Sequence, residues 1–382
     1  MNKRRKIIGC ILLLSAMVVT LVGCGKSTGR TLTSATGSVY ECLVVMNDAP
    51  LTQAQLNEVA KLSLINEASG YTKPIASLYD LVEAVMAADM PCMPQVEPYF
   101  RLTKVATAQF DDMFKPTRNI LFVDINPQKY TQLKATVSNN YWSTPQAICR
   151  IQTPSEEEFV AYWLEHGEEI RDWFVNQEIK RQMKFYRAST NKAARAILQA
   201  EGYDMLIPED YMVIMDTVLE GASTYSLRQP VTVAPDVRLL WCCNNKGSMR
   251  RDLVVYSYPY TDENTFTQDY LNAKRDAVLS RVVSASVEGS YMGTEYKVFP
   301  PQMRAITVQD DEYATEVRGL WKILDGEAMG GPYVSHTRLD QVNGRVVTAE
   351  TFLYAAGQKK RTALRQAEAI LYTLQLPQDT VK

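Results

Sequence analysis

The sequence predicts an α+β fold in two domains, each a mostly antiparallel sheet flanked by helices, and three observations lead there. Runs of strand length, either continuously apolar or alternating, dominate both halves of the chain. Helical patterns stand apart as blocks, at 51–90, 155–201, 265–283 and 359–374, instead of alternating strand by strand as a doubly wound sheet requires. Gly202 stops one helical block, and a new series of short strands follows it. The boundary therefore falls there, between an N-terminal domain at 38–201 and a C-terminal one at 202–382. A chain of 382 residues has room for both. Its 46% apolar and 22% charged residues are those of a folded globular protein. No repeat at solenoid spacing occurs.

Residues 1–37 stand outside that fold. The basic cluster Lys3-Arg4-Arg5-Lys6 precedes an apolar run at 7–22, and small residues follow, which is the pattern of a secretory signal. Sixteen apolar residues are short of the roughly 20 that a spanning helix needs. Leu21-Val22-Gly23-Cys24 resembles a bacterial lipobox, in which the thiol receives a diacylglyceryl group and becomes the new N-terminus. Residues 1–23 are then a lipoprotein signal peptide, Cys24 is the lipidated residue, and 24–37, small and polar, are a flexible tether. Each buried methylene is worth about 0.8 kcal/mol, so two or three acyl chains hold a membrane stably. Loss of the signal's four basic residues takes the net charge from −2 to −6, which argues against nucleic acid as a partner.

In chain order, 41–46 is a continuous apolar strand, buried on both faces. Residues 51–90 are helical, broken near Gly70 and Pro74. Residues 99–105 alternate like a strand, 110–114 form a short amphipathic turn, and 119–125 give the clearest strand, again doubly buried and ended by Pro127. Residues 135–142 and 146–152 read as a hairpin around Ser143-Thr144-Pro145. Ser155 and Glu158 form a capping box that opens a long helix. Its apolar stripe of Phe159, Trp163, Ile170, Trp173 and Phe174 includes His166, read as a packed core histidine. The stripe then rotates to Val175, Ile179, Met183 and Tyr186, so a bend or a change of partner is expected. Residues 191–201 are a second helical piece. Strands are expected at 204–207, 211–216, 237–243 and 252–258, with a loop at 221–235. An amphipathic helix at 265–283 precedes strands at 304–308, 313–321, 333–339 and 345–354, and a helix at 359–374 closes the chain.

Several of these segments carry a resemblance. Arg318-Gly319-Leu320-Trp321, Met329-Gly330-Gly331-Pro332-Tyr333-Val334-Ser335-His336, Tyr256-Ser257-Tyr258-Pro259-Tyr260, Gly289-Ser290-Tyr291-Met292 and Glu368-Ala369-Ile370-Leu371-Tyr372-Thr373 resemble an uncharacterised lipoprotein family of Bacteroides-type bacteria, a domain-of-unknown-function family. The resemblance implies a lipid anchor and no established activity. Residues 47–90 look longer than the family's usual first helix, and His336 stands where an aromatic is expected. The second half is also similar, in order of elements alone, to the PsbP/Mog1-type fold. Residues after Cys24 lack the acidic cluster usual in surface-exposed lipoproteins of such bacteria, which implies an outer-membrane anchor facing the periplasm.

Chemistry is sparse. No Walker A, G-x-S-x-G, H-E-x-x-H or EF-hand pattern occurs, and two histidines leave little for multi-histidine metal sites or triads. No metal and no cofactor is expected. Beyond Cys10 and Cys24, the odd set Cys42, Cys92, Cys149, Cys242 and Cys243 contains no C-x-x-C and no zinc spacing. Buried thiols packed as small hydrophobes are expected, with one disulfide as the alternative. The candidate binding residues are Arg318, Trp321, Gly330, Gly331, Tyr333, His336, Tyr256 and Tyr258. Gly330 and Gly331 offer bare backbone to a ligand or a turn into a strand. Tyr256, Tyr258 and Tyr260 share one strand face, to stack on a sugar or peptide or to line the core side of an edge strand that Pro259 ends. Arg318 and Glu316 share a face opposite Val317 and Trp321, as an ion pair or a pocket lining. The reading is a cell-envelope binding or assembly module without catalysis. Its partners are the membrane, through the lipid on Cys24, and an envelope protein, peptide or glycan. The alternative is an envelope hydrolase using His336, with Ser290, Ser335 and Glu295 available to complete it.

Asn343-Gly344 between two strands signals a two-residue type I′ hairpin. Val342 then pairs with Arg345, Leu339 with Thr348, Thr337 with Glu350, Ser335 with Phe352 and Tyr333 with Tyr354, and His336 and Arg338 project from the other face.

Cys24→Ala should leave an unlipidated soluble protein or an uncleaved precursor. Labelling cells with a radioactive fatty acid tests this: the wild type takes up label, and equal label on the variant would remove Cys24 as the acceptor.

Overall fold

The computed structural model describes residues 31–66, 73–220, 223–225, 230–232 and 237–380. The expected signal peptide, Cys24, the first half of the expected tether and the expected break at Gly70 lie outside the described residues. Among those described, no helix is long and apolar enough to cross a membrane.

The first half runs β1 (Thr33–Ser34), β2 (Glu41–Val45), α1 (Gln53–Asn66), α2 (Leu78–Met86), β3 (Arg101–Val105), β4 (Asn119–Ile125), β5 (Lys134–Asn139), β6 (Ser143–Thr144), β7 (Ala147–Thr153), α3 (Glu156–Ala188) and α4 (Lys192–Ala200). A five-stranded sheet has the order β3-β2-β4-β7-β5. Three of its pairings, β2 with β3, β2 with β4 and β4 with β7, are parallel, and only β5 with β7 is antiparallel. The α+β class holds, but the expectation of a mostly antiparallel sheet does not apply to this half. The chain leaves β2 through α1 and α2 and returns as β3 in the same direction, the crossover that parallel pairing requires. The double burial of 41–46 and 119–125 is the sequence mark of such a sheet. One face packs on α3 within the main core, and the other is closed by Phe110, Phe114 and Trp142 over Leu43, Val45, Ile120 and Ile148. β1 pairs with β6, so the last residues of the expected tether are tied to the fold.

Helix α3 is continuous over 33 residues. The Ser155 hydroxyl accepts from Glu158 N at 3.2 Å as a cap, while the Glu158 carboxylate takes the Thr153 hydroxyl at 3.4 Å. The apolar stripe rotates because the partner changes. Trp163 Nε1 donates to the Leu81 carbonyl of α2 at 3.1 Å, whereas the Tyr186 hydroxyl donates to the Gln366 carbonyl far down the chain at 2.9 Å.

The second half runs β8 (Met212–Leu219), β9 (Ser223–Tyr225), β10 (Pro230–Thr232), β11 (Val237–Asn244), β12 (Arg250–Pro259), α5 (Gln268–Val282), β13 (Tyr291–Thr294), β14 (Gln302–Thr307), β15 (Tyr313–Leu324), β16 (Gly330–Asp340), β17 (Arg345–Tyr354) and α6 (Arg361–Leu371). Its eight-stranded sheet has the order β13-β15-β16-β17-β12-β11-β8, with β14 also on β15, and every pairing is antiparallel. Residues 204–207 form no strand; Asp204 makes a single bridge to Gln375. The short β13 was not legible, and β9 with β10 forms a small ladder within the expected loop. α5 packs on one face of the large sheet and α6 on the other. The α6 side belongs to the same apolar core as α3 and the first sheet, so one core runs through both halves.

The β16–β17 hairpin differs from the expected one. The first pair is Asp340 with Arg345, followed by Leu339 with Val346, Thr337 with Thr348, Ser335 with Glu350 and Tyr333 with Phe352. Asp340 Oδ1 accepts from the backbone N–H groups of Val342 and Asn343, each at 3.0 Å, and this side-chain turn lengthens the loop to 341–344. Only Gly344 of the Asn-Gly pair takes positive φ, at 62°. The register moves by two residues, which preserves the faces. His336 therefore still projects away from Tyr333 and Phe352, opposite Ala349.

Gly331 is confined by that sheet. A Cβ there would lie 2.0 Å from the Leu353 carbonyl oxygen and 3.1 Å from Trp321 Nε1. Gly331→Ala should lower unfolding stability by about 3 kcal/mol or more. Urea denaturation measures it, and a wild-type midpoint would show that β16 and β17 can separate freely.

Candidate functional site

Strand alternation sorts the sequence candidates onto the two faces of the large sheet. Glu316 and Arg318 of β15 and His336 of β16 face α6, and the structure brings them together. Trp321, Tyr333, Tyr256 and Tyr258 face α5, so Trp321 joins neither Arg318 nor His336.

On the α6 face, Arg318 Nε and Nη2 donate to Glu316 at 2.8 and 3.0 Å, and its guanidinium also pairs with Glu368. Arg304 reaches Glu316 at 2.7 Å, and Arg365 reaches Glu368 at 3.1 Å. His336 Nε2 lies 3.5 Å from Glu316 Oε2, and its ring stands edge-on to Tyr372 at 4.8 Å. Arg318 is 4% exposed and His336 1%. Burial pushes the Glu316 carboxyl up, but Arg318, His336 and Arg304 outweigh it and hold it well below the usual carboxylate range. Ligand atoms of Glu316, His336 and Glu368 lie within 4.8 Å of one another, as in a metal site. The Arg318 guanidinium already bonds both carboxylates and occupies the place a cation would take. Ser335 projects to the opposite face, Glu295 is bound to Lys322 at 2.8 Å, and the Ser290 hydroxyl donates to the Val287 carbonyl.

On the α5 face, Tyr256 and Tyr258 stack 6.3 Å apart. They lie on an interior strand, not an edge strand, because β11 and β17 flank β12. The Arg275 guanidinium sits 3.8 Å over the Tyr333 ring and grips Glu350 at 2.8 to 3.0 Å. Trp321 Nε1 donates to the Leu353 carbonyl at 3.0 Å above Gly331, and a Cβ at Gly330 would meet the Trp321 carbonyl. The two glycines admit the indole and the neighbouring strand. His166, expected in the core, has a side chain 28% exposed, with Nδ1 3.0 Å from Glu169 Oε2. The apolar face of α3 ends one position short of it. The five described cysteines are free and buried, and burial pushes the Cys149 thiol up to about 12.

The open site lies elsewhere, where the chain between α2 and β3 crosses onto the second half. Cys92 Sγ donates to the Arg318 carbonyl at 3.4 Å, and Gln95 Nε2 donates to the Gln358 carbonyl at 3.1 Å. The Glu97 carboxylate accepts from the backbone N–H groups of Lys360 and Arg361 at 2.6 and 3.0 Å, anchoring the start of α6 where an anion is favoured. The other side of this segment, with α2 and α3, encloses a groove of about 870 Å³. Its floor is apolar, with Leu81, Val85, Met90, Met93 and Trp163, and Phe299 and Val96 stand at its edge. Its rim is acidic, with Asp89, Glu165, Glu168 and Glu169. The lining holds one cation, Arg171, which is engaged by Asp172 at 3.0 Å and Glu168 at 3.3 Å and lies 4.5 Å over the Tyr99 ring. None of the eight sequence candidates lines the groove. The legible signal was the exposed acidic face of α3, which gives no hint of the segment docked opposite.

Two family models match the chain, and both describe domains of unknown function. One, DUF8532, covers residues 57–187, and the other, DUF4837, covers residues 190–373. No curated protein matches. The models meet at the end of α3, and the groove takes lining residues from both.

A carboxylate whose folded value is depressed contributes stability that is present above its ordinary value and lost as pH falls. Unfolding stability should therefore drop below about pH 5, the ordinary glutamate range. Glu316→Gln should cost about 3–5 kcal/mol at neutral pH, by leaving the buried Arg318 and Arg365 to share the one carboxylate of Glu368. It should also flatten the acid limb. Urea titrations across pH test this; an acid limb as steep as that of the wild type would remove Glu316 as its source.

Proposed function

We propose that this chain is a cell-envelope lipoprotein of a Bacteroides-type bacterium, tethered through lipid on Cys24 to the periplasmic face of the outer membrane, and that it works as a binding module without catalysis. The observation that carries the binding reading is the 870 Å³ groove, of a size typical for ligand sites, with an apolar floor and an acidic rim. Four carboxylates against one engaged guanidinium favour a basic partner, and the floor favours apolar side chains. The ligand class is a peptide or protein segment that presents apolar residues next to lysine or arginine. A hydrolase at His336 has weaker support. That ring is buried, and neither ring nitrogen has a hydrogen-bond partner among the described residues, so no nucleophile is bonded to it there.

Calorimetric titration of the mature chain with a basic amphipathic peptide and with its acidic counterpart tests the groove. The basic peptide should bind, more weakly as salt rises, and Glu165→Lys combined with Glu169→Lys should weaken it about tenfold. Equal affinity for both peptides, or an unchanged affinity in the double variant, would overturn the reading.

A further inference from the structure

A second cavity lies at the far end of α3. It encloses about 550 Å³ between the last turns of α3, the loop at 208–211, the β11–β12 connection and Gln366 of α6. Aromatic rings wall it. Phe185 and Tyr186 stand 6.1 Å apart at an angle of 62°, Tyr211 is buried behind them, and Phe185 is 68% exposed at the mouth. The Tyr186 hydroxyl is committed to the Gln366 carbonyl, so the tyrosine offers its ring to the cavity wall.

The lining holds two carboxylates and two cations, and they differ in their hydrogen bonds. Both carboxylates are occupied: Glu209 Oε2 accepts from the Ser189 hydroxyl at 2.6 Å, and Asp210 Oδ2 accepts from Asn244 Nδ2 at 2.6 Å. The two cations of the lining are Lys246 and Arg251. Arg251 Nε is buried without a hydrogen-bond partner among the described residues. A buried donor of a charged group left unpaired costs more than the 1–3 kcal/mol or so of a neutral one. A ligand that supplies the acceptor recovers that cost. A guanidinium is a planar fork that matches the paired oxygens of a carboxylate or phosphate.

We propose that this cavity binds a small ring-bearing anion of sugar size. Its acidic group, carboxylate or phosphate, pairs with Arg251, with Lys246 at the mouth, while its ring stacks against Phe185 and Tyr186. The site is independent of the acidic groove, whose charge would repel such a ligand.

Calorimetric titration of the mature chain with glucuronate, glucose 6-phosphate and glucose tests the proposal. At least one of the two anions should bind, with glucose weaker by about tenfold or more, and the stronger of the two tells carboxylate from phosphate. Arg251→Gln should cost about tenfold or more, and Lys246→Gln about two- to fivefold. Absence of binding by both anions, equal binding of glucose, or wild-type affinity in a folded Arg251→Gln protein would overturn it. If Arg251→Gln does not fold, Lys246→Gln decides, because unchanged affinity in that variant also overturns the proposal. Binding of the basic peptide to the groove should be unaltered in either folded variant, which separates failure here from failure there.

Discussion

The pairing of Arg318 with Glu316 and Glu368 ties the molecule together. Arg318 and Glu316 sit on β15, and Glu368 sits on α6, so the guanidinium joins the large sheet to the helix that packs between it and α3. In low dielectric such a network gains little net stability over apolar packing. What it imposes is a single arrangement, because removal of any member strands the others. The same arginine's backbone carbonyl receives the Cys92 thiol, and Glu97 holds the first turn of α6. The segment that walls the groove is thereby fixed by the contacts that fix α6. A groove between that segment and α2 and α3 needs that constraint to keep its shape.

Much of the fold was legible where local pattern and burial agree. Residues 119–125 and 345–354 are strands with the expected bounds because their burial repeats along the whole element. Ser155 caps α3 as its position before an apolar-periodic run implies. What pattern could not give was direction and register. Continuous apolar runs in β2 and β4 report double burial, which suits a parallel sheet, yet pairing partners depend on the crossover through α1 and α2. The hairpin register turned on one side chain: Asp340 caps the loop and moves the pairing by two residues, against a strong Asn-Gly signal. That shift is even, so His336 kept the face expected for it, away from Tyr333.

The candidate site was less legible, for a physical reason. Glycine pairs, aromatic stripes and isolated histidines look alike in sequence whether they meet a ligand or another strand. Here Gly330 and Gly331 make room for Trp321, Tyr256 and Tyr258 pack beneath α5, and His336 rests against Tyr372. Cavities instead formed where segments distant in sequence meet: the chain at 88–99 against α2 and α3, and the β11–β12 connection against the end of α3. No local pattern encodes such a meeting.

Both cavities lie along one helix. Glu165 lines the groove and Phe185 the second pocket, so at about 1.5 Å of rise per residue they stand roughly 30 Å apart. Between them, Glu178 accepts from Arg118 at 2.7 to 3.0 Å, from Arg181 at 2.7 Å and from Asn119 at 2.8 Å, which pins α3 to the start of β4. The clamp is buried, with the Glu178 side chain 2% exposed. The clamp fixes the middle of α3 against the first sheet, while Trp163 on the Leu81 carbonyl and Tyr186 on the Gln366 carbonyl hold the stretches to either side. The end toward α2 carries surplus carboxylates, and the end toward the β11–β12 connection sets Lys246 and Arg251 beside Glu209 and Asp210. The two proposed ligands, of opposite charge, would then be told apart by a carboxylate-rich rim at one end and by the unpaired Arg251 Nε at the other.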